Sequence, residues 1–311
     1  MIVFGPVPSR RLGRSLGINN IPPKICTYSC VYCQLGPTMK IQSHRQEFYN
    51  PDEILKEVGG KIEKAKAFGE SIDYLTFVPD GEPTLDVNLG REIELLKSYG
   101  IKVAVITNAS LIWRAAVRAD LMKADWISLK VDSIRDDVWR RINRPRRNLQ
   151  LESILDGMIE FAQGYRGELV SETMLVKDLN DDTEHIQKVA DFLAQLKPAK
   201  TYLTVPTRPP AEELVRPPDE SEIIQAYQIF RKKIDCVEYL IGYEGNAFAF
   251  TGNVKEDLLG ITAVHPMKEE AVRTFLERAN ADWSVIQELI DQGVFIETEY
   301  EGNKFYMRRI R

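Results

Sequence analysis

Three cysteines stand within eight residues near the start of the chain: Cys26, Cys30 and Cys33. Thiolates are soft ligands that select zinc, copper(I) or iron–sulfur centres. A closed zinc or iron–sulfur site takes four protein ligands, and this segment supplies three. Three thiolates on a 4Fe–4S cluster leave one iron without a protein ligand, and a substrate or cofactor can bind at such an open position. The three thiolates therefore indicate a metal centre, either a 4Fe–4S cluster with an open iron or a zinc site that takes a fourth ligand from elsewhere.

The other cysteine and the three histidines leave two alternatives, a zinc site and disulfide bonds. Cys236 lies far downstream in an apolar stretch and is most simply a small buried hydrophobe, not a ligand. A zinc site would need a fourth ligand from His44, His185 or His265, of which only His44 is near in sequence. Disulfides are disfavoured, because four cysteines in 311 residues and an amino terminus unlike a secretory leader indicate a reducing compartment. We expect a cytoplasmic protein.

Composition bounds the kind of protein further. The chain is 44% hydrophobic and has no apolar run approaching the ~18 residues that would span a bilayer, so we expect no membrane association. Its length allows one large domain with an appendage. The formal net charge of −5 argues against a protein that binds nucleic acid over its whole surface.

The distribution of charge says more than the total. No acidic residue precedes Glu47, whereas Arg10, Arg11 and Arg14 stand upstream of the cysteines. A second run, Arg140–Arg147, has five arginines in eight positions. Arginine matches phosphate in bidentate geometry. We therefore predict that Arg10, Arg11 and Arg14, with the second run as a further contribution, form the entrance for an anionic substrate. RNA and a phosphorylated metabolite are the leading candidates, and a solvated face without a ligand is the alternative.

Apolar runs alternate with amphipathic segments from residue 73 onward, as in strands joined by helical crossovers. Continuous apolar strands indicate a parallel sheet covered by helices. The predicted helices are Pro51–Ala67, Leu89–Ser98, Ile112–Met122, Asn148–Ala162 and Asp182–Leu196. The predicted strands are Ser15–Ile18, Tyr74–Val78, Lys102–Ile106, Trp126–Lys130, Leu169–Val176, Thr201–Val205 and Val237–Ile241. About six βα units result.

The cysteine pattern Cys-x3-Cys-x2-Cys, with Tyr32 before the last cysteine, resembles the cluster motif of the radical S-adenosylmethionine (radical SAM) superfamily. In that superfamily the amino and carboxylate groups of SAM chelate the fourth iron. The resemblance implies an α/β fold with a partial (βα)6 TIM-like barrel, whose chemistry sits at the carboxyl ends of the strands. Residues 1–245 are predicted to form this barrel.

The strand ends carry further parts of the resemblance. Gly81, Glu82 and Pro83 are similar to the Gly-Glu-Pro motif that holds the SAM amino group, although Asp80 stands where the family form often has a glycine. Thr107 and Asn108 are similar to a Thr-Asn-Gly turn, but Asn108 could equally be a helix cap. By the same resemblance Ser128 contacts the ribose, Lys130 contacts the SAM carboxylate, and Val205 lines the adenine pocket. Lys130 could equally reach solvent.

After Thr262 the sequence predicts a small α+β unit of winged-helix type over residues 265–311, joined by a linker over 246–264. Two helices, Pro266–Ala279 and Asp282–Asp291, precede a hairpin around Glu301-Gly302-Asn303. The second helix has no basic residue, so we expect no sequence-specific DNA binding. A lid, a docking surface or a partner contact suits it better.

The opening Gly5–Gly17 and the cysteine segment together resemble an uncharacterised prokaryotic group related to the tRNA wyosine-synthesising Fe–S oxidoreductases. Those relatives carry a second cluster, for which this chain lacks cysteines. The resemblance implies a radical SAM enzyme that cleaves SAM reductively to a 5′-deoxyadenosyl radical and abstracts hydrogen from an anionic substrate, with tRNA as a candidate. A one-electron donor such as flavodoxin or ferredoxin would be its partner. The alternative is a non-enzymatic iron–sulfur protein that senses redox state or binds nucleic acid.

Overall fold

The computed structural model describes residues 1–241 and 248–309. The strands are β1 (Val3–Ser9), β2 (Gly13–Ile18), β3 (Ile25–Cys26), β4 (Lys40–Ile41), β5 (Tyr74–Phe77), β6 (Lys102–Thr107), β7 (Trp126–Lys130), β8 (Glu168–Met174), β9 (Lys200–Thr204), β10 (Val237–Leu240), β11 (Met267–Lys268), β12 (Phe295–Tyr300) and β13 (Asn303–Arg308). The helices are α1 (Pro51–Ala67), α2 (Leu89–Leu96), α3 (Ala115–Leu121), α4 (Asp136–Ile142), α5 (Leu151–Gly164), α6 (Thr183–Leu196), α7 (Glu220–Arg231), α8 (Val254–Val264), α9 (Glu269–Arg278) and α10 (Ser284–Asp291).

One eight-stranded sheet dominates the fold, in the order β1-β2-β5-β6-β7-β8-β9-β10. All neighbouring pairs from β2 to β10 are parallel, and β1 pairs antiparallel with β2. The predicted partial barrel is confirmed, with β10 continuing the parallel sheet and β1 added at the other edge. Within the described residues β1 and β10 do not pair, so the barrel is open.

Helix α1 illustrates why the local sequence gives this architecture. Asn50 caps it by accepting a hydrogen bond from the Asp52 backbone N–H, and Pro51 occupies the first turn, where its missing N–H costs nothing. Ile54, Val58 and Ile62 recur at helical spacing and are buried. The helix therefore packs one apolar face against the sheet, and it begins and ends at the residues predicted.

The small unit contains the sheet β11-β13-β12 together with α9 and α10, as predicted for the winged-helix-like region. Residues 254–264, predicted as part of a linker, form helix α8 instead, capped by the Asn253 side chain. Leu258 and Ile261 of α8 belong to the apolar core of the small unit, which explains why this segment is helical. The predicted boundary at 245/246 lies outside the described residues, so the domain limits stay a prediction.

The small unit contacts the barrel through several polar pairs. Arg278 and Arg14, from the two units, both form ion pairs with the buried carboxylate of Glu70. The Lys61 Nζ atom lies 2.8 Å from the Asp257 Oδ1 atom of α8. These contacts join α8 and α9 to the barrel at α1 and β2.

None of the helices in the described ranges is long and apolar enough to cross a bilayer. The cytoplasmic location stays a prediction.

Candidate active site

A cavity of about 330 Å³ opens at the carboxyl ends of the parallel strands. The cysteine loop forms one wall, and residues at the ends of strands β5 to β10 form the other. Because parallel strands end at the same edge of a sheet, side chains far apart in sequence meet here. This is the edge at which the sequence predicts the chemistry.

Backbone hydrogen bonds hold the cysteine loop in place. Ile25 pairs with Gly81 as an isolated bridge, so the loop begins against the turn that follows β5. In its middle, the Val31 N–H donates to the Ile142 carbonyl at 2.9 Å. The loop is thus anchored both to the β5 turn and to the end of α4. All three predicted ligands, Cys26, Cys30 and Cys33, line the cavity.

Two asparagine amides support the cysteine sulfurs. The Asn108 Nδ2 atom lies 3.5 Å from the Cys26 Sγ atom, and the Asn143 Nδ2 atom lies 3.5 Å from the Cys30 Sγ atom. Burial raises the pKa of the thiols of Cys26, Cys30 and Cys33, that of Cys30 to about 12. A bound metal removes the proton from a coordinating thiol outright. The amide N–H groups can then donate to the thiolates and stabilise their charge.

The donor set fits a cluster better than a single zinc ion. In the residues that the structure describes, no three Cys, His, Asp or Glu side chains converge as the ligands of one metal ion. Zinc needs all its ligand atoms about 2.0–2.3 Å from one centre, whereas the three thiolates of a cluster bind different irons and stand apart. His44, the alternative zinc ligand, is exposed and does not line the cavity. Cys236 precedes β10, at the opposite edge of the sheet.

Gly81 is required by the close approach of the cysteine loop. A Cβ atom added at this position would lie 1.8 Å from the backbone carbonyl oxygen of Ile25. Any side chain here would push the loop away from the β5 turn, and Ile25 directly precedes Cys26. Gly81 therefore allows the cysteine loop to pack closely against the turn that follows β5.

The carboxylate of Glu82 is buried and joins the turns after β5 and β6. Its Oε1 atom accepts hydrogen bonds from the Thr84 N–H at 3.0 Å and from the Thr84 and Thr107 hydroxyls at 2.6 Å each. Its Oε2 atom accepts one from the Asn108 N–H at 2.8 Å. Burial raises the pKa of Glu82, although these hydrogen bonds oppose the shift. Glu82 thus lies in the cavity wall, but the protein itself occupies its carboxylate.

Asp80 is a buried carboxylate whose importance the sequence reasoning missed. It is 3% exposed and lines the cavity, and its Oδ1 atom has no hydrogen-bond partner among the described residues. Burial raises the pKa of Asp80 to about 7, against the opposing charges of Lys24 and Arg308. The available signal was that Asp80 replaces the glycine often found at this place. An unpartnered carboxylate oxygen in a cavity is suited to receive a cationic or hydroxyl group of a ligand.

On another side of the cavity, Glu172 at β8 stands between two cations. It forms an ion pair with Arg11, and its Oε1 atom lies 2.5 Å from the Lys130 Nζ atom. Burial alone would raise the pKa of Glu172, but the charges of Lys130 and Arg11 outweigh it and lower the pKa to about 2. Lys130 therefore does not simply reach solvent. The three groups together carry one net positive charge.

Tyr32 connects the cysteine loop to the end of β7. Its hydroxyl donates to the Asp132 Oδ2 atom, which also accepts from the Asn143 Nδ2 atom at 2.8 Å. The Lys130 Nζ atom lies 5.0 Å from the centroid of the Tyr32 ring, within cation–π range. The aromatic residue before the last cysteine thus fixes the loop against the sheet.

The arrangement matches a sequence family. The profile described as the radical SAM superfamily matches residues 20–193, more than half of the chain. The chain belongs to the radical SAM superfamily.

The chain is also similar to individual proteins and to solved structures. The chain is similar to the UPF0026 protein of Methanocaldococcus jannaschii, at 48% identity over 100% of this chain and 97% of the relative. An S-adenosylmethionine-dependent nucleotide dehydratase of Flammeovirga pacifica is 24% identical over 94% of this chain and 96% of that protein. The solved structure of TYW1 with a lysine-pyruvate adduct bound is similar in fold, with a TM-score of 0.51, 17% identity, and coverage of 71% of this chain and 74% of that one.

As a radical SAM enzyme, this protein uses a 4Fe–4S cluster and SAM. The alternative of a non-enzymatic iron–sulfur protein is set aside, because the family match carries the enzyme assignment. The assignment of particular residues to these cofactors is taken up below as a proposal.

The structure brings most of the predicted radical SAM site residues into one cavity. In addition to the cysteines, those that line it are Tyr32, Gly81, Glu82, Thr107, Asn108, Lys130, Val205, Arg10 and Arg11. Three do not line it. Pro83 opens a short 3-10 turn below the wall, Ser128 is buried within the sheet, and Arg14 is directed to Glu70. The roles predicted for Ser128 and Arg14 stay predictions, and we leave both residues out of the site proposed below.

None of the arginines in the run Arg140–Arg147 lines the cavity, so its predicted contribution to the substrate entrance stays a prediction. Its arginines are exposed on the outer side of the cysteine loop. Helix α4 ends at Ile142, and the residues that follow it are hydrogen-bonded along the cysteine loop. The Ile142 carbonyl accepts from the Val31 N–H, and the Asn143 carbonyl accepts from the Ser29 N–H.

Proposed function

We propose that this radical SAM enzyme cleaves SAM reductively and abstracts hydrogen from an anionic, phosphate-bearing substrate in the cavity. One observation supports the proposal most directly, which is that three kinds of group line a single cavity. They are the three cysteine thiols, the Asp80 carboxylate with no hydrogen-bond partner for Oδ1 among the described residues, and the Arg11–Glu172–Lys130 group with its net positive charge. When bound, a reduced cluster would supply one electron for cleavage of the carbon–sulfur bond of SAM, which would give methionine and a 5′-deoxyadenosyl radical.

The residues of the chain have distinct tasks in this proposal. Cys26, Cys30 and Cys33 hold the cluster. Asp80 and the Gly81–Pro83 turn receive the SAM amino group, because an unpartnered buried carboxylate gains most from a cation. Lys130 faces the SAM carboxylate, and Glu172 holds its ammonium group in position.

The anionic substrate is inferred from the cations of the cavity wall. Arg10, Arg11, Lys24 and Arg208 line the cavity together with Lys130. Arginine suits phosphate because its planar fork donates two parallel hydrogen bonds. The names of two relatives, a nucleotide dehydratase and TYW1, are compatible with a nucleotide or an RNA base. The cavity volume of about 330 Å³ accepts a nucleotide-sized group, whether free or at a tRNA position.

Anaerobic turnover tests the proposal directly. The reconstituted protein is incubated with SAM and dithionite, and 5′-deoxyadenosine is assayed alone, with total tRNA, and with each nucleoside triphosphate. We expect 5′-deoxyadenosine to form and to increase with one of the added substrates. A protein that binds iron and SAM but never forms 5′-deoxyadenosine would contradict the proposal.

Filter binding of tRNA across a salt series separates the two substrate sources. Binding that weakens steeply with salt would favour RNA, because each neutralised phosphate releases counterions. No binding at low salt would remove RNA and leave the phosphorylated metabolite. An Arg11→Glu variant with unchanged turnover would remove the anion-binding role of the cavity arginine.

A further inference from the structure

The sequence places a dense run of arginines beside the cysteine motif, but the structure puts it outside the cavity. Three basic side chains there, Lys40, Arg146 and Arg147, are exposed and have no ion pair within the described part of the chain. Arg144 is excluded from this group because it pairs with Glu212 at 2.6 Å. We call the group, with Met39 and Ile41, the outer basic face.

The outer basic face is one continuous surface. The Arg146 Nη1 atom lies 3.2 Å from the Ile41 carbonyl oxygen, and the Asn148 Nδ2 atom lies 3.0 Å from the Ser43 Oγ atom. Residues 146–148 therefore run along residues 41–43. Neither 36–46 nor 143–151 contains an acidic residue, so the positive charge is not cancelled locally.

This surface lies directly behind the cysteine ligands. The Arg146 N–H donates to the Thr27 carbonyl at 2.9 Å, and the Ser29 N–H donates to the Asn143 carbonyl at 3.0 Å. Thr27 and Ser29 are the sequence neighbours of Cys26 and Cys30. The backbone of the outer basic face is thus hydrogen-bonded directly to the segment that carries Cys26 and Cys30, and its basic side chains do not line the cavity proposed for SAM and substrate.

We propose that the outer basic face is the docking surface for an acidic one-electron carrier protein, which reduces the cluster through the back of the cysteine loop. This inference rests on the proposed function, which requires an electron to reach the cluster. Opposite charges on the two surfaces would steer the encounter and fix its orientation.

The surface chemistry favours a protein over RNA. Met39 is 68% exposed and Ile41 is 40% exposed, and both project beside the arginines. Methionine and arginine are enriched at protein interfaces. Single-stranded RNA would instead stack its bases on aromatic side chains, and the outer basic face has none.

A charge-reversal pair tests the proposal. Arg146→Glu/Arg147→Glu is compared with Arg166→Glu/Lys232→Glu, which reverses two exposed charges at the amino edge of the sheet. Cluster reduction is followed anaerobically by stopped-flow absorbance, with reduced flavodoxin or with dithionite as the electron source. We expect reduction by flavodoxin to slow about tenfold or more at low salt in the first variant only, and reduction by dithionite to stay unchanged in both.

The outcomes separate this inference from the proposed function. Equal flavodoxin rates in both variants would overturn the docking surface while leaving the radical SAM reaction intact. Loss of tRNA binding with an unchanged flavodoxin rate would assign the face to RNA and also overturn it. A parent protein whose cluster dithionite cannot reduce, or which never cleaves SAM, would overturn the proposed function itself and the inference with it.

Discussion

Two corners of the cavity hold carboxylates in opposite electrostatic states. At the end of β5, one oxygen of the buried Asp80 has no hydrogen-bond partner among the described residues, and burial raises the pKa of Asp80 to about 7. At β8, Glu172 is held between Lys130 and Arg11, whose charges lower its pKa to about 2. Both side chains are acidic and lie near the carboxyl ends of strands, so the difference comes from their partners.

This contrast gives the cavity a negative side and a positive side. In the part of the chain that the structure describes, no cation is in hydrogen-bond contact with Asp80, so this corner is suited to receive one. The Glu172 corner, formed by Glu172, Lys130 and Arg11, has one positive charge in excess and is suited to an anion. A ligand with an amino group and a carboxylate would be oriented by the two corners at once. The amino-acid part of SAM has this character.

Removal of a cysteine between the two corners has the largest expected effect. Cys30→Ala should abolish the cluster, because two thiolates remain where three are needed. Cys236→Ala is the matched control and should leave iron content unchanged, since Cys236 lies at the opposite edge of the sheet. Iron analysis and absorbance after anaerobic reconstitution measure both, and full cluster retention in Cys30→Ala would contradict the ligand assignment.

The two carboxylates should also differ in what they contribute to stability. Glu172→Gln leaves two largely enclosed cations, 14% and 17% exposed, without their counter-charge, so we expect a loss of about 3–5 kcal/mol in the free energy of unfolding at pH 7. Asp80→Asn removes a carboxylate whose ionised form is disfavoured by burial, so it should leave the free energy of unfolding at pH 7 unchanged or raise it. Urea unfolding of both variants gives the comparison, and equal losses would show that the two corners are not distinct.

Glu82 holds the turns after β5 and β6 together in the cavity wall. Its substitution tests whether the position of these turns controls the affinity for SAM. Glu82→Ala should retain cluster absorbance yet weaken SAM binding by about 1.5–3 kcal/mol, because the charged acceptor that holds the Thr107–Asn108 turn is lost. Ser128→Ala, at a buried position outside the cavity wall, is the control. Calorimetry with unchanged SAM affinity in Glu82→Ala would argue against the strand-end site.

The pH dependence of stability should have opposite signs at the two corners. The stabilisation associated with protonated Asp80 is fully present below its unfolded pKa and is lost as the pH rises toward 7, by at most about 1.4 kcal/mol per pH unit. That of Glu172 is present above its unfolded pKa and is lost as the pH falls toward 2. Asp80→Asn should therefore flatten the stability profile between pH 4 and 7, and an unchanged slope there would refute the raised pKa.

The sequence predicts the sheet well where apolar periodicity is strong, and the site where short motifs lie at strand ends. Strand β7 was predicted at Trp126–Lys130 and helix α1 at Pro51–Ala67, as observed. Helices α4 and α7 and strand β1 were missed. Strand β1 contains two prolines, which weaken the local strand signal until pairing with β2 supplies it.

The hydrogen bonds and ion pairs between side chains could not be predicted from the sequence. Glu82 was expected to face SAM, but its hydrogen bonds depend on Thr84 and Thr107, which only the folded turns bring together. Arg14 and Arg11 look equivalent in sequence, yet β2 directs Arg14 to Glu70 while Arg11 reaches Glu172. Which of several arginines serves a site is decided by long-range pairing.

The shared contacts around Glu70 bear on how this chain could be recombined with its relatives. The carboxylate of Glu70 is held by Arg14 from the barrel and Arg278 from the small unit, and Lys61 depends on Asp257 in the same way. A chimera could take residues 248–309 from a homologue that lacks equivalents of Arg278 and Asp257. Glu70 and Lys61 of the barrel would then each lose an oppositely charged partner. We therefore expect a chimera to fold stably only when both units come from chains that have these paired residues. The stability of such chimeras would measure how far the two units depend on each other's residues.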